Sequence, residues 1–159
     1  MLEPWIEHVR AQYVDAGLDK VKRTKVIVTP DARDDGRHFA YCRTDGGLIG
    51  LAPEMIGLPA ATCLGIIAHE FGHAADYLYP GAFCVTSSGK VLGALAGPTS
   101  KQVVPNARYR HWLERNYDAV ERTADKVAET VLGVRIGYAG PCMLETVNAG
   151  KRPRPKGLR

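Results

Sequence analysis

The chain has 159 residues, 45% of them hydrophobic, which suits one domain with its own core and excludes a largely disordered polymer. No apolar run reaches the ~18 residues of a membrane span, and MLEPWIEHVR at the N-terminus lacks a basic stretch followed by an apolar one, so no membrane association is expected and a cytoplasmic location is. The formal charge of +4 sits in the tail: residues 151–159, KRPRPKGLR, hold five of the 21 Lys and Arg and no acid, leaving 16 basic against 17 acidic groups in residues 1–150.

In chain order, Pro4 opens a first helix, with Trp5, Val9 and Tyr13 on one face and Gly17 as its stop. KVIVT, Lys25 to Thr29, is β-branched and predicts a strand. A polar turn, DARDDGRH, leads to a second strand, HFAYCRT (His38 to Thr44), and DGG (Asp45 to Gly47) predicts a hairpin turn. LIGLAP, Leu48 to Pro53, reads as the third strand, and its glycine and terminal proline suit an edge better than a centre. A helix is expected from near Pro59 to about Tyr79, ended by Pro80-Gly81. Residues 81–105 are small, glycine-rich and without a clear pattern. A second long helix is expected from about Asn106 to Leu132, stopped by Gly133, followed by a short segment around GYAGPCMLETVN.

Residues 1–150 therefore read as a single α+β domain, and 151–159 as a basic, proline-containing tail expected to be disordered. Only that tail suggests nucleic acid, so nucleic-acid binding is not the expected function. Cys42, Cys63, Cys84 and Cys142 form no C-x-x-C pair and read as free, mostly buried thiols.

One stretch of the first long helix carries chemistry: IIAHEFGHAAD, Ile66 to Asp76. At about 100° per residue, His73 falls about 40° from His69, whereas Ile67, Phe71, Ala75 and Leu78 cluster on the opposite side. Both imidazoles can thus reach one ion, and Glu70 points to the side of the pair. This is the H-E-x-x-H pattern, in which two histidines hold zinc and the glutamate handles the proton of a water. The plainer reading is two histidines on a solvated helix face. With five histidines and eight glutamates in the chain, chance supplies roughly 0.008 such matches, which favours the chemical reading.

A catalytic zinc site takes three protein ligands and keeps one position open. The histidine six residues after the motif in metzincins is here Tyr79, so the third ligand must lie elsewhere. YDAVERTADKVAETVLG, Tyr117 to Gly133, offers Glu121 at the border of an apolar stripe formed by Tyr117, Val120, Ala124, Val127 and Val131. Asp125, one turn on, is placed to accept the outer N–H of a ligating histidine. Ala124 and Ala128 would let two helices approach closely. The alternative is that the two acids are an ordinary i, i+4 pair on a helix border, with Glu121 paired to Arg122 or Lys126.

With AHEFGHAAD and ERTADKVAETV both in view, the chain resembles a gluzincin-type zincin metallopeptidase, and in particular small bacterial and phage peptidases of the ImmA/IrrE kind. Glu121, Ala124, Asp125 and Ala128 match that family's E-x-x-A-D-x-x-A-like second helix. The resemblance implies a minimal zincin fold: an N-terminal helix, a small three-stranded sheet, the H-E-x-x-H helix and a second long helix bearing the glutamate ligand. It implies an edge strand that pairs with an extended peptide, a place filled by Leu48, Ile49, Gly50, Leu51 and Ala52. The family's helix-turn-helix domain has no counterpart that the sequence shows, and residues 80–105 match none of its patterns.

The expected function is peptide-bond hydrolysis by a zinc metalloendopeptidase, with Zn2+ on His69, His73 and Glu121, Glu70 as general base towards a zinc-activated water, Asp125 behind the ligands, and a peptide or protein as substrate. Tyr138, His111, Tyr109 and Tyr77 are candidate oxyanion donors, though each also reads as an ordinary partly buried ring. The alternative is a catalytically silent, zinc-containing module that binds a protein through its cleft or basic tail.

Overall fold

Pro4 lies in the first turn of helix α1 (Glu3–Asp15), where its missing N–H costs nothing. The computed structural model describes residues 1–33, 38–79, 82–85, 91–92, 117–133, 135–138 and 142–145. Ile6, Val9 and Tyr13 of α1 are buried, with Trp5 packed against them. The helix stops at Gly17, whose φ of +90° suits glycine. There the Gly17 N–H donates to the Val14 carbonyl (2.9 Å) and the Leu18 N–H to the Tyr13 carbonyl (3.1 Å), the two bonds of a Schellman cap. Arg10 ties the helix to the chain beyond this cap: its Nη1 donates to the carbonyls of Val21 (3.0 Å) and Thr24 (2.8 Å).

Strands β1 (Lys25–Val28), β2 (Ala40–Cys42) and β3 (Leu48–Leu51) form one sheet in the order β1-β3-β2. The strand β3 runs parallel to β1 and antiparallel to β2. The expectation for LIGLAP is thereby corrected: Leu48, Ile49, Gly50 and Leu51 form the central strand, with Ala52 just past its end, and none of them lies at an edge. Two features of the sequence have local explanations. Gly50 faces Tyr41 across the ladder, and the tyrosine ring occupies the place of a Cβ, its hydroxyl oxygen 2.8 Å from that point. A glycine here makes room for an aromatic neighbour rather than marking an edge. Pro53 lies outside the strand, at the start of the 3-10 turn Pro53–Gly57, so the ladder loses no donor.

The hairpin between β2 and β3 forms as expected, with Gly46 at φ +71°. A side chain at Gly46 would meet Leu78 Cγ at 2.7 Å and the Ala74 carbonyl oxygen at 2.9 Å, because the turn lies against the end of the next helix. Buried Thr24 donates its hydroxyl to the Gly46 carbonyl at 2.8 Å, fixing the turn from the other side.

Helix α2 (Ala60–Leu78) starts after Pro59 and is buried on both faces. Its apolar face meets the sheet and α1, and its histidine face meets helix α3 (Tyr117–Leu132) rather than water. The contact is close because Gly72 has no side chain: a Cβ there would overlap the Ala124 carbonyl oxygen and lie 2.9 Å from its carbonyl carbon. Val120, Ala124, Val127 and Ala128 are buried, and Gly133 follows the helix at φ +65°. The part of this helix expected at 106–116 lies outside the described residues.

Two ribbons complete the described chain: β4 (Cys84–Val85) with β5 (Val91–Leu92), and β6 (Arg135–Tyr138) with β7 (Cys142–Glu145). The sequence reading did not resolve these four strands. The architecture is α+β: the described residues form three α-helices and a small mixed three-stranded sheet besides the two ribbons. Among the described residues no helix is long and apolar enough to cross a membrane. Cys42 and Cys63 are free thiols, while the thiols of Cys84 and Cys142 and the tail 151–159 lie outside what is described.

Candidate metal centre

The spacing of His69 and His73 puts their rings one turn apart on α2, in an edge-to-face pair with centroids 4.6 Å apart. Glu121 reaches across from α3 and spans the pair. One carboxylate oxygen lies 2.9 Å from His69 Nε2, the other 3.2 Å from His73 Nε2. Ligand atoms of all three residues fall within 4.8 Å of one another. Two imidazoles and a carboxylate converging in this way form a donor set that suits zinc.

Behind this set, Asp125 accepts a 2.6 Å hydrogen bond from His69 Nδ1. That bond fixes a proton on Nδ1, so an ion that displaced the proton of Nε2 from its contact with Glu121 would meet the tautomer a ligand needs. Asp125 is fully buried and its second oxygen has no hydrogen-bond partner. Nδ1 of His73 is likewise buried without one, and the Tyr77 ring stacks on that imidazole at 5.7 Å.

The electrostatics follow from burial and pairing. Burial works against a charged His69, but the hydrogen bonds to Asp125 and Glu121 outweigh it and hold its pKa well above the ordinary value. Burial also disfavours the Glu121 carboxylate, yet its bonds to His69 and His73 hold it well below the usual range. Glu70 is buried too, and here burial prevails: its carboxyl is pushed up although His69, His73 and His38 pull it down. Glu70, Glu121 and Asp125 thus gather three carboxyl groups around two imidazoles in little water. A divalent cation would compensate that charge.

Of the candidate oxyanion donors, Tyr77 lies at the site. Burial pushes its phenol up, with further contributions from Cys42, Asp76, Glu121 and Glu70. Tyr138 is at the end of β6, opposite Cys142. Tyr109 and His111 lie outside the described residues.

The sequence reading gave no role to three residues that the fold brings close. Glu70 feels the charge of His38, and burial together with Glu70 raises the Cys42 thiol. The signal available was the period of two in HFAYC: a strand over the expected His38 to Thr44 would put positions 38, 40 and 42 on one side, and β2 contains 40 and 42 of these. Tyr13, from α1, also reaches beneath the site, and nothing in its sequence neighbourhood announces a partner 55 residues away. Set against models of known protein families, curated proteins and solved structures, the chain matches none.

Proposed function

We propose that the chain is a zinc metallopeptidase of the gluzincin kind, built on a minimal zincin fold and cleaving peptide bonds in a peptide or protein substrate. The observation that carries this reading is the convergence of His69, His73 and Glu121, with Glu70 beside them and outside the ligand set.

His69, His73 and Glu121 would hold the ion, and Asp125 orients His69 for it. Zinc held there supplies Lewis acidity, lowering the pKa of a water and polarising a carbonyl. Glu70 accepts the proton of the attacking water and delivers it to the leaving amine. A raised pKa suits that double duty, because the carboxyl must both take and return the proton near neutrality. A module that only binds would have no use for a buried carboxyl in this position. Tyr77 has its hydroxyl protonated and stands as the described donor for the oxyanion.

With β3 central, the substrate strand is reassigned. β2 carries the edge that lies beside α2 and is unpaired among the described residues. A peptide added along β2 by backbone hydrogen bonds would run past Glu70.

Zinc per chain, measured for wild type, Glu121→Ala and Glu70→Gln, tests the reading together with cleavage of a diverse peptide library. Expected are about one equivalent of zinc in wild type and Glu70→Gln, a sharp loss in Glu121→Ala, and cleavage by wild type alone. The absence of zinc from wild type after reconstitution would refute the reading. Equal cleavage by Glu70→Gln would refute the role of Glu70.

A further inference from the structure

Beneath the candidate metal centre, α1 meets α2 at one hydroxyl. Tyr13 is fully buried on the last turn of α1 and donates to the Ala68 carbonyl at 2.7 Å. Ala68 immediately precedes His69. An interior carbonyl of an α-helix already accepts the N–H four residues on, here that of Gly72. The tyrosine bond is therefore additional to what α2 needs for its own backbone. Gly72 is in turn the residue against which Ala124 of α3 is packed.

Tyr13 is itself held at three points. Its carbonyl accepts the Leu18 N–H that caps α1, its ring leans on Phe71 with centroids 5.7 Å apart, and its hydroxyl is bound to α2. Arg10, one turn earlier, lies over the other partner of that ring pair, 5.4 Å from the Phe71 centroid. Burial, and then the charges of Asp125 and Glu70, keep the phenol protonated and so keep it a donor. Those two carboxyl groups belong to the candidate centre, one orienting His69 and the other placed for proton transfer.

We propose that Tyr13 is a positioning residue of the metal centre: through the Ala68 carbonyl it fixes the turn of α2 that presents His69 to Glu121 and Asp125. The inference rests on the zinc reading above. It makes α1 part of the site's supporting structure, not only a cover for the core. Removing the hydroxyl leaves the Ala68 carbonyl with its helical partner, so no backbone group is orphaned. The effect belongs in ligand geometry more than in folding.

The probe is Co2+, whose visible absorption reports ligand number and symmetry, with Zn2+ affinity read by competition against a chromophoric chelator. Tyr13→Phe is compared with wild type and with Val9→Ala. Val9 is equally buried on α1, and its truncation lowers stability by making a cavity. Expected is a shifted cobalt spectrum and a zinc affinity about tenfold weaker in Tyr13→Phe, the low end of what outer partners of metal ligands supply. Val9→Ala should keep the wild-type spectrum in spite of the larger fall in Tm.

A Tyr13→Phe protein with wild-type spectrum and affinity would overturn the inference while leaving the zinc reading intact. Equal changes in both variants would overturn it as well, since general loosening would then be the cause. Failure of wild type to bind either metal would remove the zinc reading and the inference with it. If Tyr13→Phe does not fold, Phe71→Leu loosens the ring's seat while keeping the hydroxyl. A spectral shift there supports the inference, and an unchanged spectrum overturns it.

Discussion

Gly72→Ala sets helix propensity against packing. In an isolated helix the change gains about 1 kcal/mol. Here the new Cβ would overlap the Ala124 carbonyl oxygen and stand 2.9 Å from the carbonyl carbon and 3.0 Å from Cα. Carbon atoms in contact rest about 3.5–4.0 Å apart, so α3 must retreat by about 0.5–1 Å. All the obstructing atoms are backbone, and no side chain can swing away. Overpacking of this kind costs about 1–3 kcal/mol. The expected net loss is up to about 2 kcal/mol, or a Tm lower by up to about 8 °C for a chain of this length. The retreat also carries Glu121 and Asp125 away from the histidines. Metal sites tolerate errors of about 0.2 Å in ligand distance, so zinc affinity should fall about 10–100-fold. Calorimetry and chelator competition read the two effects. A variant that is more stable and binds zinc as wild type does would refute the close-approach argument.

Asp125→Asn should weaken zinc by about 10–100-fold, measured by the same competition, because the amide no longer enforces the His69 tautomer. In chelator-treated protein, His69 has a folded-state pKa above its ordinary 6.5. Its stabilisation is therefore complete below about pH 6.5 and lost as pH rises through the folded value. With saturating zinc, protons compete with the metal, so stability should rise over the same range. Tm against pH, with and without zinc, should give slopes of opposite sign, and parallel slopes would contradict the pairing. Finally, Gly50→Val should cost about 1–3 kcal/mol by displacing the Tyr41 ring. Tyr41→Ala in the same chain should recover part of that loss, a non-additivity that denaturant unfolding can measure.

What could be read from the sequence was what repeats at short range. The four-residue spacing of His69 and His73 and of Glu121 and Asp125 placed both pairs on helix faces, and the structure brings these faces together. The hairpin at Asp45–Gly47 and the stops at Gly17 and Gly133 were equally local, since each depends on the backbone freedom of one glycine. Strand order was not legible. β1 and β2 lie on either side of β3, and the glycine that suggested an edge serves a cross-strand neighbour that sequence alone does not identify. Nor was the depth of the site. A face bearing two histidines and two acids reads as solvated until a second helix covers it, and that depends on Gly72 meeting Ala124.

Glu121 joins two helices far apart in the chain, with 47 positions between His73 and Glu121. An ion held by these residues would act as a reversible cross-link closing that long loop. By the loop-entropy relation used for disulfides, such a closure is worth about 4 kcal/mol against the unfolded chain. Metal supply would then govern the lifetime of the fold as well as its chemistry. A chain short of zinc would open first along the seam between α2 and α3 and offer itself to proteolysis there.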